Sequence, residues 1–169
     1  EEGEASTYSS GKTSILQFPH LLLGVFTLFI YVGVEVIAGN TIAGYGAFLG
    51  ISYTYTKFFT SLTLGGMFLG YIIGISLIPK ILSQERALQI SSLLGVVFVL
   101  LAIVTPGWGS VLFIALLGLA NSLMYPAIWP LALEDVGRFT KTASTLLVAA
   151  IVGGAVLPLV YGALADAFD

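Results

Sequence analysis

The chain has 169 residues, 57% of them hydrophobic and 9% charged, and a net charge of −3. Soluble domains run at about 25% charged and about 45–50% apolar residues, and a chain this short cannot hide such an excess inside a water-soluble core, so its apolar surface needs lipid as a solvent. Six scattered basic residues exclude nucleic-acid binding. The lack of cysteine, with His20 the single histidine, excludes disulfide frameworks, thiol catalysis and Cys- or His-rich metal sites.

Residues 1–16 are polar and rich in Ser, Thr and Gly, and read as a tail or linker. The start at Glu1 rather than Met fits a stretch of a longer protein. Residues 17–169 form the apolar body. It holds five continuous apolar segments, at about 18–39, 57–78, 87–104, 111–131 and 142–165. Each is near the ~20 residues that carry a helix across ~30 Å of hydrocarbon. Transmembrane strands are shorter and alternate in polarity, so an all-α polytopic bundle is expected.

Lys12 precedes the first span, Lys80 and Arg86 join the second to the third, and Arg138 and Lys141 join the fourth to the fifth. Five crossings put these three segments on one side, and five of the six basic residues there make it cytoplasmic. Lys57, at the outer lip of the second span, is the exception.

Glu35 stands inside the first span, in Tyr31-Val-Gly-Val-Glu35. A charge in hydrocarbon costs about 2.5–3.5 kcal/mol on insertion scales, so such residues face a bundle interior or a water-filled path. At ~1.5 Å per residue it lies ~25 Å from the inner end, in the outer part of the membrane. It reads either as an acceptor for ligand hydroxyls or protons, or as a structural carboxylate bonded to a neighbouring helix.

In the fourth span Asn121, Tyr125 and Trp129 follow one another at helical spacing. An amide with two donors and two acceptor lone pairs, beside aromatic rings, suits a polyhydroxyl ligand. The alternative is helix–helix glue and ordinary aromatic packing. Tyr31 and Asn40 are weaker candidates for the same cavity. Pro126, Pro130 and Pro158 each remove a helical hydrogen bond. Gly66, Gly70 and Gly74 form a bare stripe on the second span, and Gly153-Gly154 does the same on the fifth; both favour close helix approach.

Two lookalikes fall away. Ser10-Gly11-Lys12-Thr13 resembles the end of a phosphate-binding loop, but Ser6 stands where that motif needs glycine. His20 lies at the inner membrane boundary and reads as interfacial rather than as part of a catalytic triad. No catalytic constellation or cofactor site is expected.

Several segments together resemble the fucose/glucose/galactose:cation symporter family of the major facilitator superfamily. They are Tyr31-Val-Gly-Val-Glu35-Val, Gly70-Tyr-Ile-Ile-Gly74 with Ile78-Pro79-Lys80, Gly118-Leu-Ala-Asn121-Ser-Leu-Met-Tyr-Pro126-Ala-Ile-Trp129-Pro130, Gly137-Arg138-Phe-Thr-Lys141, Ile151-Val-Gly-Gly154-Ala-Val-Leu-Pro158 and Gly162-Ala-Leu-Ala-Asp166. The resemblance runs from about Gln17 to Asp166. It implies spans seven to eleven of twelve, the C-terminal half of a bacterial inner-membrane glucose/galactose-type transporter. Residues 1–16 would end the central cytoplasmic loop. It further implies hexose uptake coupled to H⁺ or Na⁺, a substrate site shared with an N-terminal half, and proton-coupling carboxylates mainly in that half. Tyr71 stands where many relatives carry Arg, as in glucose/galactose transporters. The rival readings are a facilitator of a non-sugar solute and a polytopic membrane enzyme.

Overall fold

A computed structural model describes residues 12–78 and 80–168. The polar tail expected over residues 1–16 lies outside the described residues as far as residue 11, as does the Ser10-Gly11 part of the phosphate-loop lookalike. All regular structure among the described residues is helical. A 3₁₀ turn at Ile15–Gln17, closed by a reciprocal Ser14–Gln17 capping box, leads into α1, Pro19–Phe48. There follow α2 (Tyr53–Thr56), α3 (Phe59–Leu77), α4 (Gln84–Val104), α5 (Trp108–Asn121), α6 (Met124–Leu133), α7 (Thr140–Ala150) and α8 (Gly153–Phe168). Taken across their short breaks these make five helical stretches long and apolar enough to cross a membrane: Pro19–Phe48, Tyr53–Leu77, Gln84–Val104, Trp108–Leu133 and Gly137–Phe168.

The ends have local causes. Pro19 opens α1 at the one helical position that needs no N–H. Ser83 caps α4, its Oγ accepting from the Arg86 N–H at 3.3 Å. The turn between α4 and α5 requires Gly107, whose φ is +60°. In the connector between α6 and α7 Asp135 takes φ +54°, a left-handed geometry in which Asp is enriched.

The first span is longer than its expected end near Gly39. Nothing stops the helix at Asn40-Thr41, because the Thr41 hydroxyl turns back onto the Ile37 carbonyl at 2.8 Å. Glu35 therefore lies ~24 Å from Pro19 and ~20 Å from Phe48, near the middle of the helix.

The end of the bundle that holds Lys12 and Arg138 is tied by polar and aromatic contacts. Phe18 is buried and meets His20 and Phe139 edge-on, with ring centres 5.9 and 5.8 Å apart. Lys12 Nζ sits 4.1 Å above the Phe18 ring. The Arg138 guanidinium donates to the Lys12 carbonyl at 2.8 Å. His20 Nε2 is 2.8 Å from the Glu134 carbonyl, which can only accept, so that nitrogen carries the proton. At the other end the Ser110 hydroxyl donates to the Ala102 carbonyl at 2.6 Å, so Tyr45 must donate to Ser110, 2.7 Å away. Trp108 is flanked by Tyr55 and Phe59.

Between these ends the helices meet through glycine. A Cβ on Gly118 of α5 would strike the Thr63 carbonyl of α3, and one on Gly70 of α3 would strike the Ser122 side chain. On the opposite flank a Cβ on Gly153 of α8 would strike the Phe29 carbonyl of α1, and one on Gly33 the Leu157 side chain. Both flanks are close backbone contacts of the kind that holds helices together in lipid, where water cannot drive association. The outward surface stays apolar. On α4 the stripe Leu93, Val96, Leu100 and Ile103 is 57–74% exposed, a hydrocarbon-facing side that water would not tolerate.

Candidate functional site

Three sequence-derived candidates converge at mid-helix. The Tyr31 ring is buried at 5% exposure, and its hydroxyl donates to Glu35 Oε1 at 2.8 Å, one helical turn on. The same hydroxyl lies 3.1 Å from the main-chain carbonyl of Asn121, across the α1–α5 interface. One hydroxyl proton thus faces two acceptors. Ionised Glu35 is the stronger of them, since hydrogen bonds to charged groups are the stronger class. Glu35 keeps part of its surface open: its second carboxylate oxygen has no bond to the described residues.

Asn121 closes α5 at an interruption that Ser122 and Pro126 create. The Ser122 hydroxyl donates to the Leu119 carbonyl at 2.7 Å, the acceptor that the Leu123 N–H would use in a continuous helix. Pro126 has no N–H to offer the Ser122 carbonyl. Irregular backbone at this depth is tolerated where it is buried in protein or lines a cavity.

The interruption divides the expected Asn121–Tyr125–Trp129 stripe. Asn121, 7% exposed, lines a cavity of about 290 Å³ with Thr27, Ile30, Tyr31, Val34 and Met124. Tyr125 instead turns toward α3 and lines a cavity of about 340 Å³ with Tyr71, Gly74, Gln84 and Leu123. Tyr125 and Trp129 do stack, with ring centres 5.7 Å apart and planes 30° from parallel. Asn40 is exposed on α1, toward its outer end and away from the Tyr31–Glu35 pair.

Tyr71 of α3 belongs to the neighbourhood although spacing alone does not place it there. It stands close enough to Glu35 and Tyr31 to interact electrostatically with them, and it shares a cavity with Tyr125 of α6, four residues on from Asn121. The signal for it is the residue before it: Gly70 lets α3 approach Ser122 of the break, and Tyr71 is carried in alongside.

No family model matches the chain. Over 99% of its length the chain is 33% identical to a glucose/galactose transporter of Brucella abortus, of which it spans 41%. It is 22% identical over 98% of its length to an L-fucose-proton symporter of Escherichia coli, of which it spans 38%. Its fold matches part of a crystal structure of a major facilitator superfamily transporter, FucP, in the outward conformation, with a TM-score of 0.82 and 24% identity. That match takes in 89% of this chain and 36% of the other. The resemblance in the sequence therefore holds along nearly the whole chain, and the relatives are transporters rather than enzymes. The fold is all-α and corresponds to about a third of a major facilitator transporter, and the chain is a multi-pass membrane protein. It spans about two-fifths of the length of these relatives.

Proposed function

We propose that the chain supplies most of the C-terminal half of a bacterial inner-membrane transporter that takes up a hexose with a cation, H⁺ or Na⁺. The observation that carries this reading is the mid-helix carboxylate of Glu35. It is held by Tyr31 beside a broken helix, in a chain similar from end to end to glucose/galactose transporters. The matched L-fucose-proton symporter supports coupling to an ion. Residues 1–16 then end the central cytoplasmic loop, and 17–169 form the membrane half-domain, with the Lys12, Lys80–Arg86 and Arg138–Lys141 segments inside the cell. The hydrogen bond from Arg138 to Lys12 supports a shared side for two of them.

In this reading Glu35 accepts hexose hydroxyls at its free oxygen while Tyr31 fixes its rotamer. Asn121 offers its amide from the neighbouring cavity, and the Tyr125–Trp129 pair stacks on the C–H face of the sugar. Tyr31 and Asn40 border the path. The N-terminal half completes the cavity. Rocking of the halves then exposes the site to each side in turn, and the cation selects among conformations by its differential affinity for them.

Labelled-hexose uptake by the full-length protein, with and without a proton or sodium gradient, tests this. Gradient-dependent uptake is expected to fall by roughly tenfold or more in Glu35→Gln and in Asn121→Ala, with membrane insertion intact. Wild-type rates in both variants would refute the site. A wild-type protein that moves another solute but no hexose would replace the sugar reading with a general facilitator.

A further inference from the structure

We infer that the cavity between α3, the start of α4 and α6 is a second hexose subsite on the inner side of Glu35, which receives the sugar as it leaves toward the cytoplasm. This rests on the hexose reading above and extends it to residues that reading does not use, Tyr71 and Gln84.

The cavity holds about 340 Å³, within the range of small-molecule pockets. Its apolar walls are Ile75, Ile78, Leu123 and Pro126, and its floor is bare at Gly74. Three residues that carry polar groups line it with them: Tyr71, Tyr125 and Gln84. Apolar walls with a few polar groups that fix orientation are the usual composition of a small-molecule site. Tyr71 is 39% exposed, so it is not sealed in the bundle. Tyr125 brings a ring already held by Trp129, which presents a rigid face to a sugar at little entropic cost. Hydroxyls and an amide both give and take hydrogen bonds, which matches a neutral polyol and gives an anion no charged partner.

Its position gives the subsite a direction. One border is Tyr71 and Tyr125, and Tyr125 follows by four residues Asn121, whose carbonyl the Tyr31 hydroxyl meets beside Glu35. The other is Ile78 and Gln84, which flank the connector bearing Lys80, with Arg86 following in the first turn of α4. In the proposed orientation that connector is cytoplasmic, so the cavity runs from the level of Glu35 to the inner surface.

The test uses the full-length transporter in right-side-out and inside-out membrane vesicles. The half-saturating hexose concentration is measured at each face for wild type, Gln84→Leu and Tyr71→Phe. Gln84 is half-buried at the first turn of α4, and Phe retains the Tyr71 ring, so both variants should insert and fold. Each is expected to raise the inner-face value about fivefold, the factor for one lost neutral hydrogen bond, and Gln84→Leu, away from Glu35, to leave the outer-face value unchanged. Indifference of the inner face in both variants, or for Gln84→Leu an equal rise at both faces or a rise at the outer face alone, would overturn the subsite. Wild-type vesicles that carry no hexose would refute the transport reading itself and the subsite with it, an outcome separate from hexose-carrying vesicles with indifferent variants.

Discussion

The seam between α3 and α5 and the seam between α1 and α8 use one packing device on different ground. In the first, Gly66, Gly70 and Gly118 bring backbone against backbone, and the seam runs into the Ser122–Leu123 break. In the second, Gly153 does the same, while Gly33 and Gly154 receive the side chains of Leu157, Val32 and Val36, and the two valines flank Glu35 on α1. Small residues let both pairs close without a hydrophobic drive. The carboxylate of Glu35 thus sits beside a seam that must stay shut, and the Ser122–Leu123 break sits across from it. Tyr31 joins the two, bonding Glu35 on one side and the Asn121 carbonyl on the other.

That comparison makes predictions that descend in size. Gly153→Ala drives a methyl into the Phe29 carbonyl, and backbone cannot swing aside as a flexible side chain would. It should cost about 1–3 kcal/mol, read as a fall in the thermal unfolding midpoint of the detergent-solubilised full-length protein. Gly118→Ala, against the Thr63 carbonyl, should behave alike; if one is harmful and the other neutral, the two seams are not equivalent. Tyr31→Phe keeps the ring and removes the shared proton. A loss of about 1 kcal/mol is expected in the same assay, the usual size for polar contacts between membrane helices. In Glu35→Gln the same change should cost less, because the acceptor is no longer charged; an undiminished effect would mean that Tyr31 serves Asn121 alone. Gly65→Ala meets open space within the α3 helix and should raise the midpoint, by about 0.5–1 kcal/mol of stability. A destabilised Gly65→Ala would show that α3 packs on a face the seam does not explain.

Much of the fold is legible in the sequence because membrane helices announce themselves by length and continuous hydrophobicity. The glycine stripe of the second span is equally plain, since Gly66, Gly70 and Gly74 repeat every four residues on one face. The end of α1 is harder to read. Asn40 and Thr41 look like a loop, but a threonine hydroxyl bonded one turn back lets the helix continue. That extension moves Glu35 to mid-helix. The site is legible as residue types and not as an arrangement. Asn121, Tyr125 and Trp129 share a face only if their helix is continuous, and Ser122 with Pro126 interrupts it. Tyr71 approaches Glu35 from another helix, a relation that no spacing within one segment encodes.

This chain contains no cysteine, so once any cysteine elsewhere in the full-length protein is replaced, one introduced thiol reports on one place. Val34→Cys, beside Glu35 on the wall of the Asn121 cavity, in the full-length protein, treated with a membrane-impermeant thiol reagent in the presence and absence of hexose, asks whether this cavity lies on the sugar's path. Labelling that transported hexose suppresses is the expected result. A thiol that never reacts, or one that reacts equally with and without the sugar, would contradict the account.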